Sequence, residues 1–188
     1  MTPEPTSIGI VLRQIRLLKR GDSFLHGNSE LCVLRAAFAE TDDSQKTPVI
    51  LEAYFPEAKS GKILPIAGNG LLIYGPGNPG SYVTYVIKII ESDKDIRESG
   101  QTLNELITSP KIDTILSTLK LNPTATIAAS VIKSVLDIVS SAMIKNKDDE
   151  LFQAEGTVFR GSTPPYLLKK IQPVHNEYIN AQIQVLPL

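Results

Sequence analysis

Apolar side chains recur along this chain with two different periods, and the switch between them limits the folds it can adopt. In Tyr82–Glu91 the residues Val83, Tyr85, Ile87 and Ile89 alternate, so they share one face of a strand, while Thr84, Lys88 and Glu91 are expected in more polar surroundings. Residues 178–187 alternate in the same way. Ile179, Ala181, Ile183 and Val185 lie on one face, and Gln182 and Gln184 on a wet one. Between these stretches the spacing becomes three and four: Ala128, Val131, Ile132, Val135, Ile138, Val139 and Ala142 form one stripe, with Ser130, Lys133, Ser134, Asp137, Ser140 and Ser141 opposite. That is an amphipathic helix reaching about residue 145.

The remaining segments follow the first pattern. Residues 8–18 read as a strand whose alternation slips midway, which implies burial on both faces or a bulge. Residues 31–38 form a second strand with Cys32, Leu34, Ala36 and Phe38 on one face. Residues 49–55 form a third, residues 63–74 hold one or two more around Gly68-Asn69-Gly70, and residues 151–160 return to strand. The runs Gly75-Pro76-Gly77-Asn78-Pro79-Gly80 and Gly161-Ser162-Thr163-Pro164-Pro165 are expected to be strand-free turns. Helix start signals stand at Thr102 with Glu105 (capping-box spacing), at Ser109-Pro110 and at Asn122-Pro123.

Seven or eight short strands with the helices in a single block predict a mainly β fold: an antiparallel two-sheet sandwich with an α-helical insertion over residues 102–145. The helix over residues 123–145 reads as a cover packed across one sheet, with an oligomer contact as a second reading. Membrane insertion is disfavoured by Lys133 and Asp137.

At 188 residues the chain suits one domain, with residues 1–6 a flexible lead-in and residues 151–187 the returning strands. A formal net charge of -1 gives no basic arm for nucleic acid. The first residues carry neither a basic nor an apolar stretch of the signal-peptide kind, and no apolar run is long enough for an ordinary transmembrane helix. With the single Cys32 in an apolar run, these features predict a soluble, cytoplasmic protein without an internal disulfide.

Two loops resemble those of C2 domains, β-sandwich modules that often bind calcium and membranes. The first stretch is Ile15-Arg16-Leu17-Leu18-Lys19-Arg20-Gly21-Asp22, followed by Asn28-Ser29-Glu30-Leu31-Cys32-Val33. It is similar to the first C2 loop, with Asp22 at the first acidic position and Asn28 where a second aspartate would stand. The second stretch, Val86-Ile87-Lys88-Ile89-Ile90-Glu91-Ser92-Asp93-Lys94-Asp95, resembles the C2 strand that ends in an Asp-x-Asp loop. The likeness covers about half the chain. It departs from the family at Gly100 and Gln101, where a later acidic ligand is missing, and through the whole helical block.

The resemblance implies a calcium site at one end of the sandwich, with Asp22, Asn28, Asp93 and Asp95 supplying some of the six to eight oxygens calcium requires. The same residues also read as ordinary turn formers, and Asp42-Asp43 and Asp148-Asp149-Glu150 as solvated acidic loops. No hydrolase elbow, phosphate loop or paired-histidine metal motif occurs, and His26 and His175 lie far apart. The expectation is therefore a non-enzymatic module that makes protein–protein contacts, with a partner or with itself, and binds no nucleic acid. Calcium-dependent docking to a phospholipid membrane is the alternative, and an enzyme of unrecognised type the third reading.

Overall fold

The structure is a computed structural model that describes residues 7–19, 29–40, 48–91, 103–144 and 149–188. Five strands come first: β1 (Ile8–Leu17), β2 (Ser29–Ala39), β3 (Val49–Ala58), β4 (Leu71–Gly77) and β5 (Tyr82–Glu91). Three helices follow, α1 (Leu103–Ile107), α2 (Pro110–Leu121) and α3 (Ala125–Met143). The chain closes with β6 (Glu150–Phe159), a 3-10 turn at Pro165–Leu167, β7 (Ile171–His175) and β8 (Ile179–Pro187). The strands make two antiparallel sheets of four, in the orders β4-β1-β8-β7 and β3-β2-β5-β6.

The two sheets pack face to face over one apolar core, to which β1 contributes Ile8, Ile10, Leu12, Ile15 and Leu17, and β8 contributes Ile179, Ala181, Ile183 and Val185. The parity of β1 changes between Leu12 and Ile15. The cause is a bulge: Leu12 pairs with Ile183 and Gln14 with Gln182, so Arg13 is the extra residue. Arg13 and Gln14 both turn outward, and the inward run resumes at Ile15. That resolves the slip in alternation in favour of a bulge.

A second core lies on the other side of the β3-β2-β5-β6 sheet. Cys32, Leu34, Ala36 and Phe38 of β2, with Tyr82, Val86 and Ile90 of β5, pack against Ile112 and Leu119 of α2 and against Ala128, Ile132, Val135, Leu136 and Val139 of α3. The central strands β2 and β5 are therefore buried on both faces. Each fully buried aliphatic side chain here contributes roughly 1.5–3 kcal/mol relative to exposure. Thr84 and Lys88 differ from expectation. Both lie on the helix-facing side of β5 and are buried, at 0% and 3% exposure, because the helices roof over what would otherwise be a wet face.

Local chemistry explains the other departures. The run 75–80 is not wholly a turn, since β4 continues through Gly75 and Pro76 to Gly77. As an edge strand β4 tolerates a proline. At Gly75 the φ is +97°, and a Cβ would lie 2.3 Å from the Ile8 carbonyl oxygen, so only glycine lets β4 approach β1 there. Residues 63–74 supply only this one strand, with Ile63 joining the sheet through an isolated bridge to Arg16. Asn122-Pro123 does not open the long helix. Asn122 caps the end of α2, and Thr124 is the N-cap of α3, its side chain accepting a hydrogen bond from the Ile127 N–H. Ser109 is the residue before α2, with proline at its start, as the sequence predicts. Within α3, Leu136 and Ser140 join the buried face, and Ile138 and Ala142 are only half-buried. The strand β7 had no sequence signal, since its five residues include Pro173 and put Ile171 on the outer face. Thr102 and the lead-in, residues 1–6, lie outside the described residues.

Among the described residues, α3 is long and apolar enough to cross a membrane by length and composition, yet its apolar side faces the sheet. Truncating that side is expected to be costly. Ile132→Ala should lower the unfolding free energy by about 2–5 kcal/mol, measured by urea denaturation, because it opens a cavity between helix and sheet.

Candidate functional site

Four residues carry the metal hypothesis, and all four, Asp22, Asn28, Asp93 and Asp95, lie outside the described residues, as do Asp42, Asp43 and Asp148. The strand ends that flank them are described. Leu31 of β2 pairs with Phe55 of β3 and Glu91 of β5; Ile90 pairs with Glu150 at the start of β6; Leu17 at the end of β1 pairs with Ile179 at the start of β8. The chain therefore leaves β1 toward residues 20–28, and β5 toward residues 92–102, at the same end of the sandwich. Among the described residues, no group of three or more His, Cys, Asp or Glu side chains is placed to hold a metal ion.

The described part of this end is bound together by backbone and short polar side chains. Leu18 donates its N–H to the Tyr178 carbonyl (2.6 Å), Gly61 to the Leu17 carbonyl (2.7 Å), and the Ser60 hydroxyl to the Leu18 carbonyl (2.7 Å). Asn176 joins the two sheets. Its amide donates to the Leu151 carbonyl of β6 (2.7 Å), and its side-chain oxygen accepts from the N–H groups of Tyr178 and Ile179. Lys19 pairs with Glu177 at 2.5 Å and lies 4.7 Å from the Tyr178 ring centre. Glu177 holds the Lys19 ammonium above its ordinary range by a direct hydrogen bond, and Lys19 lowers the Glu177 carboxyl in return. Both groups are solvent-exposed, so the pair adds little stability. Ser29, at the start of β2, is 3% exposed, and its hydroxyl has no hydrogen-bond partner among the described residues.

The opposite end is closed by a different set. The Tyr166 hydroxyl and the Arg160 Nε both donate to the Gly80 carbonyl, Arg160 at 2.9 Å, and Arg160 reaches Asn78 Oδ1 at 2.7 Å. Gly80 has φ +70°, and a Cβ there would fall 1.7 Å from the Glu40 carbonyl oxygen. These contacts explain why Gly80 ends the glycine-proline run.

Three buried polar groups tie layers together, and sequence reading gave none of them a role. Lys88 projects from β5 toward the helices. Its Nζ lies 2.7 Å from Asp137 of α3 and 2.7 Å from Glu150 of β6, with the Ser140 hydroxyl at 3.5 Å. A lone lysine inside an apolar strand was the available signal, matched by an aspartate on the serine face of a helix. Tyr82 donates its hydroxyl to the Pro123 carbonyl, fixing the α2–α3 junction on the sheet. Arg35 faces the sandwich interior and donates to the Leu72 carbonyl of β4 (2.7 Å) and the Glu52 carbonyl of β3 (2.8 Å), linking an edge of each sheet. Burial pulls its guanidinium below the ordinary value.

Cys32 sits in the helix-facing core with no exposure, and burial, then the Glu52 carboxylate, push its thiol up to about 12. Tyr54 is raised as well, chiefly by burial and then by Cys32 and Glu52, and its hydroxyl donates to the Glu52 carboxylate at 3.0 Å. A thiol in that state is protonated and shielded, the reverse of an activated nucleophile. No protein-family model matches the chain, and no curated protein sequence does.

Lys88→Ala should cost about 1–3 kcal/mol by urea denaturation. Asp137→Asn and Glu150→Gln should each cost less, since each leaves Lys88 one carboxylate partner. Cys32 should resist a thiol reagent in the folded protein and react on unfolding. Because its folded value lies above the ordinary 9.0, it contributes stability below pH 9 that is lost as the pH rises toward about 12. Tyr74, Tyr82 and Tyr85, each raised to about 12 by burial, act in the same direction. Thermal melts should therefore fall between pH 9 and 12.

Proposed function

We propose that this chain is a non-enzymatic binding module whose β-sandwich is the scaffold for assembly with a protein partner. The observation that carries the reading is the unequal treatment of the two outer faces. The β3-β2-β5-β6 sheet is covered by helices through a continuous apolar core. Among the described residues no helix covers the outer side of the β4-β1-β8-β7 sheet, and Leu72 and Ile171 are among its exposed aliphatic residues. The buried Cys32 thiol and the structural engagement of Lys88 and Arg35 leave these groups to packing rather than chemistry. The helical insertion, the other candidate contact surface, spends its apolar side on the sheet. The exposed serine face of α3 is less suited to a partner than the open sheet.

A cytoplasmic setting fits the single reduced cysteine. The C2-like reading, with calcium and a phospholipid membrane as ligands, draws support from one feature: the segments bearing Asp22 and Asn28, and Asp93 and Asp95, leave the sandwich at the same end. Calorimetry with calcium, with and without anionic liposomes, separates the two readings. Heat and a melting shift at millimolar calcium favour the calcium module; their absence removes it.

The assembly reading is tested by light scattering after size exclusion, combined with cross-linking in the native cell extract. A stoichiometric complex, with another protein or between copies, is the expected result. A strict monomer under all conditions, with no cross-linked partner, contradicts it.

A further inference from the structure

Charge is distributed very unevenly between the two sheets. The segments that build the β4-β1-β8-β7 sheet and its connections, residues 7–19, 59–80 and 160–188, hold eight of the chain's 19 Lys and Arg but only one of its 20 Asp and Glu. That one is Glu177, which is paired with Lys19 at the end of the sheet. Among the described residues, the four strands of this sheet carry no Asp or Glu, and Arg13 and Arg16 stand on its outer side.

The centre of that face is built rather than incidental. The β1 bulge turns Arg13 outward, and its guanidinium donates to the Gln184 side-chain oxygen at 2.8 Å. Gln184 is 8% exposed and is itself fixed by donating to the Lys169 carbonyl at 2.9 Å. Arg16 stands two pairs further along, opposite Asn180 on one side and Ile63 on the other. An arginine held by a neighbouring amide keeps free donors in a fixed fork, the geometry that recognises carboxylates two bonds at a time. Exposed aliphatic groups border it, with Ile63 49%, Leu72 36% and Ile171 48% exposed.

We infer that the outer face of the β4-β1-β8-β7 sheet docks an acidic protein surface, one carrying Asp and Glu side chains interspersed with aliphatic ones. The inference rests on the reading of the chain as a protein-binding module and names the face and the chemistry of the partner. Arginines at the centre of the face, with lysines such as Lys169 toward its edge, match the distribution of protein interfaces. The β strands of the face carry no Phe, Tyr or Trp on its outer side, only the single imidazole of His175, which is a poor stacking platform for single-stranded nucleic acid. The fixed Arg13 fork suits discrete carboxylates better than a fluid layer of lipid headgroups.

The test uses the full chain and a short fluorescein-labelled poly-L-glutamate peptide, followed by anisotropy at low and raised salt. Phosphatidylcholine–phosphatidylserine vesicles and duplex DNA are measured alongside. Salt-sensitive peptide binding is expected, weakened at least about tenfold in R13E/R16E and unchanged within about twofold in K111E, a reversal on the exposed side of α2. Vesicles and DNA should bind more weakly than the peptide. R13Q/R16Q serves where the reversals impair folding, as judged by circular dichroism and melting. The inference is overturned if the arginine variants bind the peptide like the wild type, if K111E loses as much, or if vesicles or DNA bind at least as tightly. If a native complex survives R13Q/R16Q intact, this face is wrong and the module reading stands. If no complex forms with the wild type, both fall.

Discussion

The antiparallel pairing of β2 with β5 is the constraint on which the rest of the structure depends. Both strands are apolar on both faces, and a sheet can leave neither face of such a pair in water. One face finds the second sheet. The other requires a cover, and α3 supplies it. The insertion is thus the third layer of the fold, without which Leu34, Phe38, Val86 and Ile90 would be exposed. Lys88 shows the consequence most clearly. A lysine in mid-strand can be buried there only because α3 brings Asp137, and β6 brings Glu150, to its ammonium.

The opposite sheet is built on another principle. In β8, Ile179, Ala181, Ile183 and Val185 face the core, while Asn180, Gln182 and Gln184 face outward. Such a sheet is stable with one side wet, and it needs no helix. The bulge at Arg13 adds a second outward residue without disturbing the inward series. The same local device that keeps β1 in register with the core thus also places a cation on the open face.

Much of this was legible in the sequence. Alternation in β5 and β8, and the three-and-four spacing of α3, marked the sandwich and its helical insertion. Ser109-Pro110 marked the start of α2. What escaped were features set by tertiary contacts. Thr84 and Lys88 looked polar and proved buried, because nothing local says which face of a strand a distant helix will cover. Gly75 and Pro76 looked like a pure turn, yet on an edge strand they continue the sheet. Asn122-Pro123 looked like a helix start, yet Asn122 ends α2 and Thr124 caps α3. The candidate site was less legible still. The resemblance to C2 loops pointed to Asp22, Asn28, Asp93 and Asp95, which lie outside the described residues, and the polar groups that the structure joins, such as Arg35 with Leu72 and Glu52, or Arg13 with Gln184, are separated too far in sequence for any local pattern to link them.

Helix α3 is an integral layer of the fold, closing the β2–β5 pair rather than standing as a detachable appendage. Native-state hydrogen exchange tests this most directly. The backbone amides of α3 should exchange only through the same global unfolding that releases β2 and β5, with matching free energies and the same dependence on denaturant. Exchange of α3 by a separate, lower-energy opening, with β2 and β5 still protected, would contradict it.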